Sequence, residues 1–213
     1  MTEIKSQMYK DTADIVKFTG KYGFDESKKS DSHFLKWLNI WTLGLLGECG
    51  EAIEALEEWN LEKLHEEISD ICWYSVALDL LLHRSTIQEL HIPSRSVTEV
   101  LLMILESGDL DEDEDDDDEE IVYNCLRGAL YAALRKGLKF SEQVKKFTRD
   151  YPERGKIEDL LSGDLQYVKG YQGVLENLSG LFEFNNVGAT LTEKLLKRYP
   201  KGFDPKLSVE RTN

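Results

Sequence analysis

The chain has 213 residues and a formal net charge of −15, from 41 acidic and 26 basic side chains. That length can bury a sizeable core without staples, as one domain or two small ones. The charge disfavours nonspecific nucleic-acid binding. The longest apolar run falls short of the roughly 18 residues that mark a membrane span. The start lacks an apolar signal region, so a cytoplasmic protein that touches no membrane is expected. Cys49, Cys72 and Cys125 form an odd set without a CxxC pair. They read as buried thiols, with no disulfide or zinc role.

In chain order, residues 4–19 have helical character and residues 20–33 read as a polar loop. His33, Trp37 and Trp41 follow at four-residue spacing. Trp41 reads as core, whereas Trp37 lies closer to the loop mouth. A first long helix is predicted over 34–58, carrying Gly44, Gly47 and Gly50 at every third position. Each interior glycine costs a helix about 0.5–1 kcal/mol relative to alanine, so close approach of a helix or ligand is expected there. Trp59-Asn60 breaks the helix, and Asn60 is a fair N-cap for a second helix over 61–82.

Residues 83–95 read as a connector, and the capping box Ser96-Val97-Thr98-Glu99 starts a further helix. Residues 109–120 hold 11 acids in 12 positions. Like-charge blocks of this kind are usually solvated, so a disordered acidic loop is expected rather than the metal site. Helices are predicted over 121–136, closed by Gly137, then over 164–184 and 188–199. The whole chain, 1–213, is read as one all-α domain, a helical bundle. Its first half is 1–83 and its second 84–213. The helix–spacer–helix order of the second half echoes the first, either as a degenerate internal duplication or as a plain insertion of extra helices.

The two long helices carry the chemistry. Glu48 and Glu51 are three apart on one, and Glu67 and Asp70 are three apart on the other. Residues at that spacing share a helix face. Two such helices packed antiparallel would bring four carboxylates to one point. Crowded carboxylates either hold protons or take a cation, and a hard, oxygen-seeking ion such as Mg²⁺ is the natural choice. The plainer alternative is solvent-facing helix charge, which the strongly apolar neighbours argue against. Lys63, one turn before Glu66 and Glu67, is either a helix ion pair worth about 0.2–0.5 kcal/mol or a cation that orients a carboxylate or meets a phosphate.

Gly44-Leu45-Leu46-Gly47-Glu48-Cys49-Gly50-Glu51 resembles the GLxGExGE segment of the all-α nucleoside triphosphate pyrophosphohydrolases, the superfamily of MazG-like enzymes and dimeric dUTPases. Glu66-Glu67-Ile68-Ser69-Asp70-Ile71-Cys72-Trp73-Tyr74 resembles its EExxDxxWY segment, and Lys63 matches the lysine before it. The stretch Glu193 to Phe203 is similar to the family's closing NxxKLxxRYPxGF segment, with Leu191 where that pattern has asparagine. The resemblance covers roughly the first 83 and last 20 residues.

That resemblance implies a MazG-like helical bundle and a Mg²⁺-dependent hydrolase (Mn²⁺ as the alternative ion) that splits (d)NTPs into (d)NMP and pyrophosphate. It implies Glu48, Glu51, Glu67 and Asp70 as metal ligands and Glu48 or Glu66 as general base. Lys63, Trp37, Lys194 and Arg198 are the implied substrate contacts. Arg127 joins them if the second half is a degenerate copy that lends cations to the phosphates. A homo-oligomer, most simply a dimer, is implied unless the duplication makes a pseudo-dimer. The reading from a different class is an inactive helical module whose acidic loop binds a basic partner.

Overall fold

The structure, a computed structural model, describes residues 13, 14, 16, 17, 30–82, 117–151, 153, 157 and 197. These are helical wherever they form regular structure, with no strand among them. Three long helices make an all-α bundle: α1 (Asp31–Glu57), α2 (Leu61–Leu81) and α3 (Asp117–Asp150).

Helix α1 begins three residues earlier than the polar character of residues 20–33 predicts. The reason is a cap. Ser30 is extended, and its hydroxyl accepts from the His33 backbone N–H at 3.2 Å, satisfying one of the donors a helix start leaves open. Asp31 adds a favourable acid in the first turn. The helix ends at Glu57 with Glu58 as its C-cap, and Trp59 follows with a φ of 53°, left-handed for a residue with a side chain. Asn60 then caps α2 as its residue type predicts, its side chain accepting from the Lys63 N–H at 3.0 Å.

The α1–α2 connection is too short for anything but an antiparallel hairpin. Its seam is aromatic and aliphatic. Trp41 is 2 % exposed and its ring meets Trp73 edge-on at 6.0 Å. Leu38, Leu45, Ala52 and Leu56 of α1 join Leu64, Ile68, Ile71 and Leu78 of α2 in one core. Both helices pack around α1, which lies between α2 and α3.

Helix α3 also runs antiparallel to α1. Asn39 donates to Thr148 Oγ1 at 3.1 Å near one end, and Trp59 meets Tyr123 at 6.0 Å at the other. Two expectations are corrected here. Residues 117–120 belong to the helix, not to a disordered loop, because acidic residue types suit a helix's first turns. Gly137 does not close a helix at 136. It is buried within α3, between Ala133 and Phe140 of the inward face, where a continuous apolar stripe outweighs one glycine's propensity.

Ala13 and Val16 are helical and belong to the core. The remaining parts of 4–19 lie outside the described residues, as do the connector 83–95, the helix after Ser96, residues 109–116 and the helix over 164–184. Of 188–199 only Lys197 is described, and it is helical and exposed. No helix of the described residues is long and apolar enough to cross a membrane.

The three glycines of α1 differ in role. A Cβ at Gly44 would collide with the Tyr74 ring, so Gly44 makes room for α2. At Gly47 and Gly50 a Cβ would meet nothing within 4 Å. Close approach of a neighbouring helix is thus required at one of the three positions.

Candidate metal centre

Helices α1 and α2 cross so that Glu48 faces Glu67 and Asp70. Each of the three offers a carboxylate oxygen, and these oxygens lie within 4.8 Å of one another. Glu67 is buried at 7 % exposure, while Glu48 and Asp70 are half-buried. The spacing explains the convergence: Glu67 and Asp70 are one turn apart on α2, and the antiparallel seam sets Glu48 opposite them.

Three carboxylates cannot all stay charged at this density. Burial raises the Glu48 carboxyl above its ordinary 4.5, to about 8, reinforced by the charge of Asp70, a hydrogen bond to Glu67 and the charges of Glu51 and Glu67. The shift favours protonation of Glu48 towards neutral pH, with Glu67 as its hydrogen-bond partner. A divalent cation would do the same job with more charge. Glu48, Glu67 and Asp70 would be the residues to hold such an ion, since their oxygens already lie within 4.8 Å of one another. The donor set is all carboxylate, which suits Mg²⁺ or Mn²⁺ and not zinc.

That proton has a consequence for stability. In the unfolded chain Glu48 ionises near 4.5, and in the fold near 8. A raised folded value means that the contribution is fully present below pH 4.5 and is lost as the pH rises through 8. Thermal melts of metal-free protein should fall across that window. Glu48→Gln, which cannot ionise, should flatten the slope, and Mg²⁺ should restore the melting temperature at the alkaline end.

Glu51, expected as a fourth ligand, is exposed and stands outside the triad. Glu48 and Glu51 are three apart, but the seam passes along Trp41, Leu45, Glu48, Ala52 and Leu56, and Glu51 lies off it towards solvent. Glu66 and Lys63 are half-buried on α2 within a turn of Glu67. Cys49 and Cys72 are buried, and desolvation pushes both thiols up to about 12, with the Glu48 charge adding to it at Cys49. They are inert packing groups. Cys125 corrects the expectation of three buried thiols: it is exposed on α3.

Trp37 is half-buried, its ring 5.5 Å from Trp41. It sits 11 positions before Glu48, about three turns or ~16 Å along the axis. A nearer aromatic pair lies on α2. Trp73 and Tyr74, both half-buried, pack ring against ring at 5.0 Å, one turn beyond Asp70. The signal was present in their i+3 and i+4 spacing from Asp70. Arg127 is exposed on α3, with its guanidinium 5.5 Å from the Tyr131 ring. Lys194 and Arg198 lie outside the described residues.

No family model, no curated protein and no solved structure matches this chain.

Proposed function

We propose that the protein is a Mg²⁺-dependent nucleoside triphosphate pyrophosphohydrolase of the all-α, MazG-like kind. The observation that carries this proposal is the convergence of Glu48, Glu67 and Asp70. The motif resemblance supplies the reaction, and the aromatic pair beside Asp70 supplies a surface for a base.

A triphosphate cannot approach three carboxylates without compensation. Bound at the triad, the ion would neutralise phosphate charge and make an attacking water more acidic. Glu48, Glu67 and Asp70 would hold it, with Glu48 bound as the carboxylate. Glu66, on the turn that carries Glu67, is the carboxylate assigned to take the proton of the attacking water. Lys63, one turn earlier, is assigned to a phosphate oxygen. Trp73 and Tyr74 are assigned to stack on the base, whose aromatic face any such ring pair can meet. Glu51 is kept as an outer acid, available to a second ion that arrives with the substrate, because Mg²⁺ commonly takes only one or two protein carboxylates and shares the rest with phosphates.

The test is pyrophosphate release with Mg²⁺ across the dNTPs, dUTP and the NTPs, with an Asp70→Asn control. Monophosphate and pyrophosphate in equal amounts, lost in the control, is the expected result. Folded protein that releases pyrophosphate from none of them would overturn the proposal.

A further inference from the structure

Acids make up 41 of the 213 residues, yet between 121 and 149 there is only Glu142, against seven Lys and Arg. This stretch lies on α3, whose inner face is filled by Leu126, Leu130, Ala133, Phe140 and Val144. The cations stand outside that face, and all seven are exposed. Towards the C-terminal end they have partners. Lys145 and Lys146 share Glu142, and Arg149 meets Asp150. Arg135, Lys136 and Lys139 fall within five residues of one another, and among the described residues no carboxylate pairs with any of them. An acidic chain thus leaves three adjacent cations without counter-charge.

Apolar surface sits among these charges. Leu138, between Lys136 and Lys139, is 53 % exposed, and Tyr131, one turn before Arg135, is 43 % exposed. Seven residues apart, the two return to the same side of the helix. Tyrosine and arginine are the types that dominate binding hot spots. The patch is also bounded. Helix α3 opens on the acids 117–120, and the end of α1 that meets α3 at Tyr123 carries exposed Glu54, Glu57 and Glu58. Arg135 lies about 22 Å beyond Glu120 along the axis, roughly two screening lengths at moderate salt. A nucleic acid or an anionic bilayer extends past such a patch and meets those acids. A short acidic segment of a protein covers the cations and stops before them.

We infer that the outer face of α3 around Leu138 docks a short acidic segment of a partner protein, its carboxylates set on Arg135, Lys136 and Lys139 and an apolar side chain set against Leu138 and Tyr131. The Arg135 guanidinium can take a carboxylate through two parallel N–H donors, and the two lysines act as point charges beside it. The charges steer the encounter, and the apolar contact slows release. The apolar centre is small, so binding is modest and falls with salt. The acidic triad lies on the α1–α2 seam, so docking on α3 draws on none of its chemistry.

The test is fluorescence anisotropy on the full chain, without nucleotide or divalent ion. The probe is a labelled peptide of about ten residues, glutamate throughout except for a central leucine, long enough to span ~33 Å when extended. Labelled oligothymidine of about twenty nucleotides and cosedimentation with phosphatidylserine vesicles are the comparisons. The peptide should bind at about 0.05 M salt and be released at about 0.5 M. Arg135→Glu together with Lys139→Glu should weaken it about tenfold or more, and Leu138→Ser by about threefold. Glu142→Gln, which removes the stretch's one acid, should tighten it. All four positions are exposed, so the helical circular dichroism spectrum of each variant should match that of the native protein. A native protein that does not bind the peptide at low salt would overturn the inference, as would binding that the double charge reversal leaves unchanged. Oligothymidine or vesicles held more tightly than the peptide would also overturn it, by assigning the face to phosphates. No arm depends on whether the protein hydrolyses nucleotides.

Discussion

Glu67→Gln should abolish hydrolysis, with kcat/KM lowered about 10³-fold or more, equivalent to about 4 kcal/mol of transition-state stabilisation. Glu67 is the most buried of the three carboxylates and a hydrogen-bond partner of Glu48. The amide keeps size and shape but removes one negative charge where water cannot replace it. It also presents donor hydrogens to a position that must accept. Glu51→Gln is the informative contrast. Glu51 is exposed and outside the triad, so its loss should cost far less, about tenfold, a magnitude typical of outer-shell groups. Parallel Mg²⁺ titrations of the two variants and the native protein check the ordering. Equal losses would mean that Glu51 swings in to complete the site once an ion is present.

Trp41→Ala should be the most destabilising single change in the α1–α2 seam. The side chain is 2 % exposed and touches Trp37 and Trp73 ring to ring. Removing a buried aromatic of this size typically costs about 3–5 kcal/mol, combining lost transfer energy with the cavity left behind. For a chain of this length that lowers the melting temperature by roughly 10 °C. Trp37→Ala, at a half-buried position, should cost clearly less. Thermal denaturation followed by circular dichroism distinguishes the two. Trp41 also supports Trp73, so the larger variant should raise KM for a nucleotide even at temperatures where it stays folded.

What was legible in the sequence follows from what helices encode. The apolar periodicity of α1 and α2, the Asn60 cap and the three-residue spacing of Glu67 and Asp70 are local, and local spacing translates directly into faces. The choice among the three glycines was not legible. Only the tertiary contact with Tyr74 separates Gly44 from Gly47 and Gly50. The same limit affected Glu51. Spacing alone places it on Glu48's face, but a seam is narrower than a face, and which of two acids lies on it depends on the neighbouring helix. Gly137 and the acidic start of α3 were misjudged for the opposite reason. At Gly137 residue propensity favoured a stop, and the long buried stripe from Leu126 to Val144 overrode it; at 117–120 the charge block favoured a loop, but acids also suit the first turns of a helix. Arg127 was assigned to phosphates from a supposed duplication, whereas the inward positions of α3 are its apolar neighbours Leu126 and Leu130.

The central claim is that Glu48, Glu67 and Asp70 take a divalent cation in exchange for a proton. Calorimetric titration of Mg²⁺ into the native protein near neutral pH, in two buffers of different ionisation enthalpy, addresses it most directly. The expected result is saturable binding accompanied by release of up to one proton, with both lost in Asp70→Asn. Folded protein that binds no Mg²⁺, or binds it equally well after Asp70→Asn, would contradict the assignment of the triad.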